Sequence, residues 1–382
     1  MESLPTADKR VFRNFSYTLM FQLIPVFVIS SYLIYEINPY LFKKQMIYYV
    51  IAFLVFVASM FMPWRRILWW FAPLLYILNL ALLAAVPIIG TSVLGAQRWI
   101  EIPGIGLTIQ PSEFMKVNVI MLMALLISKK PPESSGYGLF NFIKLSIVII
   151  VPFLMIAKEP DLGTALVLLI TGYGILFIVG IDWKIWAVIL ILIGAGAPMA
   201  YEYGLKDYQK KRIVDAVSKP SYQVRQALIA IGSGGMEGKA KEDSTQTQLK
   251  FLPVSSTDFI FAYLGERFGF KGMLLVISLY ILLIFNLLYI AAKYANDYLI
   301  KTFASGLAFL FFVYMGVNVY MIIGMAPVVG LPLPMFSHGG TSFIIFSVIF
   351  GILQNLIAFK DYNRYTSDSK ISMIPKEKPA VT

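Results

Sequence analysis

The chain has 382 residues, of which 58% are hydrophobic, 15% aromatic and 14% charged. Soluble domains are about 45–50% apolar and about 25% charged, so the composition excludes an ordinary soluble protein and points to an all-α polytopic membrane protein. The net charge of +11 would suggest a nucleic-acid partner in a soluble chain, but in a membrane chain it reads as loop lysines and arginines that set orientation.

Ten apolar segments follow in chain order: 15–35, 45–62, 67–89, 113–128, 141–157, 163–181, 184–203, 272–292, 302–325 and 340–358. They are of the length needed to cross a ~30 Å hydrocarbon core at ~1.5 Å per residue. The first lacks a small-residue cleavage site and reads as a span, not a cleaved signal. Prolines such as Pro25, Pro73 and Pro152 fall inside segments, which membrane helices tolerate because neighbours re-satisfy the freed backbone groups. The whole chain, 1–382, reads as one integral membrane domain.

With the N-terminus placed inside, sixteen Lys and Arg fall on the cytoplasmic side and four (Lys43, Lys44, Arg98, Lys158) in short outer loops. That bias puts both termini in the cytoplasm, the tail at about 359–382 included. One long connection, about 204–257 between segments seven and eight, lies outside. Long connections are usually functional. Within it, Tyr222–Ile231 has the pattern of a short helix. The stretch IGSGGMEGKAKEDSTQTQ that follows reads as a flexible loop. It is no P-loop: Gly232 to Gly238 encloses five residues, and Ala240 follows Lys239.

The absence of cysteine removes disulfides, thiolate nucleophiles and cysteine-held metals. A single histidine rules out a histidine-based metal cluster. The ionisable residues near segment ends are the remaining candidates, since charge at membrane depth is costly and tends to be functional. In QPSEFMK, Pro111 and Ser112 start a helix, and Glu113 and Lys116 are i, i+3 neighbours on one face. They form either a helix-start ion pair or a charged wall of a water-filled cavity. In KEPDLGTA, Asp161 is either an N-cap or part of the same wall. In GAQRWIEIPG, Arg98 and Trp99 belong to an interfacial belt, or Arg98 grips a diphosphate with its planar fork. In GLPLPMFSHGGTSFI, His338 reads as a hydrogen-bonding residue before it reads as a base. Asp258, in PVSSTDFIFAYLGERFGF, is either an N-cap or a general base whose pKa is raised by burial. Glu266 and Arg267 two turns on read as an interfacial pair with each other.

Taken together, GAQRWI, QPSEFMK, EPDLGTAL, IAIGSGG, TQTQLKFLP, TDFIFAYLGERFGF and PLPMFSHGGTSF resemble the signature of the SEDS family (shape, elongation, division and sporulation). They occur in order over about residues 95–350. The stretch VVGLPLP looks more like the elongation branch than the division branch. The resemblance implies a peptidoglycan glycosyltransferase that polymerises lipid II into β-1,4 glycan strands beside a class B penicillin-binding protein and other elongation-complex proteins. It implies a site facing outward from the cytoplasmic membrane. Asp258 would be the base, with Lys116 and Arg98 on the departing diphosphate. Glu113 and Asp161 would line the cavity, and Ser337 and His338 would touch substrate. A divalent cation, magnesium or manganese, would share the diphosphate charge, although no dedicated ligand set is visible.

Two departures stand out. Where the family commonly has an acid and a histidine before the TDF motif, this chain has Val254, Ser255 and Ser256; His338 occupies a usual tyrosine position. A lipid II flippase and a structural activator of a partner synthase are the readings from other classes. The flippase predicts ionisable groups spread through the membrane depth, and the activator predicts that Asp258 is dispensable.

Overall fold

The computed structural model describes residues 14–93, 96–102, 107–159, 161–204, 210, 221–249 and 251–360. The expected charges at Lys9, Arg10 and Arg13, much of the long connection, and the tail beyond 360 lie outside these residues.

The apolar segments are helices: α1 Tyr17–Ile37, α2 Pro39–Phe61, α3 Trp64–Ile89, α4 Pro111–Lys129, α5 Leu139–Lys158, α6 Leu162–Val179, α7 Trp183–Met199, α10 Ile260–Lys293, α11 Tyr298–Ile322 and α12 Gly340–Ala358. Among the described residues, nine are long and apolar enough to span a membrane, and Trp183–Gly196 is a shorter apolar helix. The long connection carries α8, Tyr222–Gly234, and a single turn α9, Thr245–Gln248. The helix expected at Tyr222–Ile231 is therefore present.

The loop read as GAQRWIEIPG is instead largely a strand. A three-stranded antiparallel sheet joins β1 Thr91–Val93, β2 Ala96–Ile102 and β3 Leu107–Ile109. Along β2, Ile100 and Ile102 share the side of Arg98 and alternate with Trp99 and Glu101, a pattern so short that a helix-period search passes over it.

Burial sorts the helices. α4 and α12 are 78% buried over their apolar windows, against 22% for α2 and α3. α4 is apolar nearly all round because it packs on α3, α6 and α11 at once. α2 and α3 turn most of their apolar surface outward, as lipid-facing helices do.

Two departures from regular helix shape the site end of the bundle. First, α10 breaks at Gly269, whose φ of 59° and ψ of −162° are open only to glycine. The Gly-rich stretch plugs this break. Phe270 N–H donates to Gly235 O at 2.8 Å, Lys271 N–H to Met236 O at 3.3 Å, and Lys239 N–H to Glu266 O at 3.0 Å. The glycines read as a flexible loop thus satisfy backbone groups that the break leaves open. All seven residues from Ile260 to Glu266 are buried, so this first part of α10 is enclosed by protein on every side.

Second, the segment 331–338 before α12 dips into the bundle. Tyr280 donates to Pro334 O at 2.6 Å, and Ser30 donates to Phe336 O. Ser30 lies seven residues inside the end of α1, about 10 Å along the axis. Leu331, Leu333, Met335 and Phe336 are buried. Non-helical backbone at such depth is tolerated only where protein or an aqueous cavity surrounds it.

Candidate functional site

Asp258 sits in the turn between Leu252 and α10, and that turn rests on the dipping segment. Ser337 Oγ donates to Thr257 O at 2.8 Å and accepts from Leu333 N–H at 2.8 Å. His338 N–H donates to Ser256 O at 2.9 Å. From α11, Asn318 Nδ2 donates to Asp258 O at 2.9 Å and to Leu331 O at 2.7 Å. The backbone around Asp258 is therefore fixed on two sides. The residue is not an N-cap: Phe259 holds that position, without a side-chain bond. The carboxyl is lifted to about 6, burial being the main cause, while a Thr257 hydrogen bond acts weakly the other way.

Two non-glycine residues among those described have positive φ, Val254 at 54° and Met335 at 60°. One precedes Asp258 in its turn, and the other lies in the segment beneath. A β-branched residue there is a backbone outlier, costing on the order of 1–3 kcal/mol. Such outliers cluster at sites whose surroundings hold them in place.

The second group is on α4. Lys116 Nζ bonds Glu113 Oε1 at 2.6 Å and also reaches the Tyr314 hydroxyl; that hydroxyl in turn lies 3.2 Å from Glu113 Oε2. Lys116 is 3% exposed, so this is no surface ion pair. Pro111 occupies the first turn, as its fixed φ favours.

The third group gathers at the start of α6. Asp161 Oδ1 accepts from Thr164 N–H at 3.3 Å and lies 3.5 Å from Arg98; Oδ2 accepts from Gln110 at 3.1 Å. Asp161 thus caps α6, and the same carboxylate meets Arg98 and Gln110. Arg98 is on β2 and faces inward to this carboxylate, not outward as an interfacial anchor would. Its neighbour Glu159 is buried, and burial with the Asp161 charge raises its carboxyl to about 8, against a smaller pull from Arg98.

The three groups are joined. Gln110 and Glu113 are three residues apart at the start of α4. Tyr314 and Asn318 are one turn apart on α11. A Cβ at Gly163 would land on Val329, while one at Gly330 would stand 3.5 Å from Asp258 Oδ2. Asp161, Glu113, Lys116, Arg98 and Asp258 therefore gather at one end of the bundle. Ser337 and His338 are also here. The Ser337 hydroxyl is engaged within the frame, and His338 contributes its backbone N–H. The His338 ring lies against Tyr48, its Nδ1 makes no hydrogen bond, and burial and Lys44 lower its pKa.

Glu266 and Arg267 do not pair with each other. Glu266 accepts from Gln246 N–H and Thr247 Oγ1, each at 2.9 Å. Arg267 makes a two-pronged pair with Glu36 of α1, with Nε and Nη2 each at 2.8 Å, and Tyr263 adds a third bond to the same carboxylate. Consecutive helical residues point about 100° apart, so each reaches a different neighbour.

The family model described as FTSW_RODA_SPOVE, cell cycle protein, matches residues 9–362. The chain belongs to this family. Within the FTSW_RODA_SPOVE family, the peptidoglycan glycosyltransferase MrdB of Helicobacter pylori J99 is 48% identical over 92% of both chains. The MrdB protein of Escherichia coli K12 is 40% identical over 75% of this chain and 77% of its own. A probable peptidoglycan glycosyltransferase FtsW from Trichlorobacter lovleyi is 33% identical over 84% of each. Identity is thus higher to the MrdB branch than to FtsW. The solved RodA of Thermus thermophilus superposes with a TM-score of 0.67 at 24% identity, covering 90% of this chain and 97% of that one. A chain from a structure on the coordination of polymerization and crosslinking by a peptidoglycan synthase complex gives a TM-score of 0.77 at 24% identity, over 92% and 99%. Both likenesses are of fold.

Reading this family member from sequence passed over Gln110, Glu159, Tyr314, Asn318 and Glu36. A signal existed for two: Tyr314 and Asn318 are polar at i, i+4 inside an otherwise apolar helix. Glu159 was in plain view beside Asp161 but was not singled out.

Proposed function

We propose that this chain is a peptidoglycan glycosyltransferase of the elongation type that polymerises lipid II. The observation that carries the proposal is Asp258: a carboxyl lifted to about 6, held by its backbone, beside a corner that holds Lys116 and Arg98. A base working near neutral pH needs a pKa of that order. The names of the MrdB relatives supply the reaction class.

In the proposed reaction, Asp258 takes the proton from the 4-hydroxyl of an acceptor sugar as its oxygen bonds C1 of the donor. The bond from C1 to the diphosphate breaks, and undecaprenyl diphosphate leaves with the electron pair. The α-linked donor becomes a β-1,4 product in one inverting step, so no second carboxylate nucleophile is needed. Lys116 and Arg98 offset the charge that develops on the leaving group. Among the described residues, no three His, Cys, Asp or Glu side chains gather to hold a metal. A magnesium or manganese ion would arrive on the diphosphate itself.

The Lys and Arg bias supports cytoplasmic termini and an outward-facing site in the cytoplasmic membrane. A class B penicillin-binding protein as partner accords with the likeness to a chain of a peptidoglycan synthase complex that coordinates polymerization and crosslinking. The test is polymerisation of lipid II in detergent by the purified chain with that partner, under inhibitors of classical glycosyltransferases. Glycan polymer is expected from the wild type and none from Asp258→Ala. Polymer that survives Asp258→Ala removes the base assignment.

A further inference from the structure

We infer that Glu159 is a positioning residue that must stay uncharged for a diphosphate to be held at the Arg98 corner. The inference rests on the glycosyltransferase reading. Glu159 ends α5, where its N–H bonds Ile156 O at 3.0 Å. It is 5% exposed, and neither carboxyl oxygen has a hydrogen-bond partner. An ionised carboxylate so placed would be buried without a donor, which is among the costliest arrangements in a protein. Asp161, two residues on, holds the partners that Glu159 lacks: Thr164 N–H, Gln110 and Arg98.

The charged groups around Glu159 come from three directions. Arg98 on β2 and Asp161 at the head of α6 act on it through their charge, without a hydrogen bond, and the Glu113–Lys116 pair follows on α4 after Gln110. Arg98 with Asp161 is neutral as a pair, and so is Lys116 with Glu113. A neutral Glu159 therefore leaves the corner without net charge, so that an arriving diphosphate meets the guanidinium and ammonium without a surplus anion. An ionised Glu159 would add one negative charge, divide the Arg98 field between two carboxylates and repel the diphosphate. Burial and Asp161 place its titration at about 8. Its proton is thus held at neutral pH and lost in mild alkali.

The test uses full-length protein carrying Asp258→Asn, so that binding is read without turnover. A polyprenyl diphosphate in detergent is the probe. With Glu159 present, affinity falls about tenfold between pH 7 and pH 9, as one-proton linkage requires. With Glu159→Gln, a neutral side chain of the same shape, affinity at pH 7 is kept and the alkaline fall disappears. A fall that persists in Glu159→Gln, or a tenfold loss at pH 7 in that variant, overturns the inference. Infrared difference spectra supply a second readout that needs no ligand. A protonated-carboxyl band is expected at pH 7 that is lost on titration and missing in Glu159→Gln; its absence from the parent protein overturns the inference directly. If that band is present but the probe binds at no pH, the glycosyltransferase reading fails and takes the positioning role with it, while the protonation stands.

Discussion

Tyr314 and Asn318 stand one turn apart on α11 and hold the two halves of the site. The Tyr314 hydroxyl bonds Glu113 and Lys116, and the Asn318 amide holds the Asp258 carbonyl at 2.9 Å. Helix α11 therefore sets the spacing between the proposed base and the proposed leaving-group cation. Tyr314→Phe and Asn318→Ala should each lower the polymerisation rate about tenfold to hundredfold, since small misplacements of reacting groups have that effect. Steady-state rates on lipid II check this. A wild-type rate in both variants would show that α11 does not set the geometry.

Asp258 should cost stability when ionised. Its folded-state value of about 6 lies above the ordinary 3.8, so the folded chain binds the proton more tightly. The stabilising contribution is complete below about pH 4 and is lost as pH rises through about 6. Asp258→Asn should therefore raise the melting temperature at pH 7.5, by an amount equivalent to about 1–3 kcal/mol, and by less at pH 5. Polymerisation by the wild type should rise through the same pH range as the base loses its proton. An Asn variant less stable than wild type at pH 7.5 would contradict this account.

The Glu36–Arg267 pair ties α1 to the part of α10 before its break, with its side chains 6% and 10% exposed. Removing one partner leaves a buried charge, at a cost of about 3–5 kcal/mol. Arg267→Lys should also destabilise, because an ammonium cannot make the two-pronged contact. Melting curves should show Glu36→Gln with Arg267→Gln losing less than the sum of the two single changes. Strict additivity would mean that the contact does not form.

Gly269→Ala should prevent folding or destabilise by more than about 3 kcal/mol, because the left-handed backbone alone costs up to that for a side chain. The new Cβ would also meet Gly238 N at 2.5 Å and Met236 backbone at 2.6 Å. Gly232→Ala, with nothing within 4 Å, is the control and should behave as wild type. Size-exclusion profiles and melting temperatures separate the two.

The spans were legible in the sequence because an apolar run of membrane length has few alternatives. Glu113 with Lys116 was legible because helical spacing alone places them together. The gathering of Asp161 and Asp258 was readable only as a shared side of the membrane. Their actual approach depends on Gly163, where a Cβ would land on the Val329 side chain, and on Gly330, whose φ of 75° a side chain would strain. Glu266 and Arg267 show the limit from the other side. Adjacency suggested a pair, but helix geometry sends them to α9 and α1. The sheet at 91–109 was missed because its strands are too short for their alternation to register.

The break at Gly269 gives α10 two solvents. Upstream, Ile260–Glu266 is packed by protein on all sides; downstream, Phe270, Leu274 and Leu275 are each more than half exposed toward what would be lipid. The two stretches should differ in what they accept. Past the break, one large apolar residue should replace another freely at these outward positions, since acyl chains adapt to shape, while Tyr280 and the rest of the buried stripe stay constrained. Before it, swaps of equal hydropathy should fail on volume alone. A saturation library across this helix should therefore show tolerant positions beginning abruptly past one residue, although the hydropathy of the sequence runs on without a step.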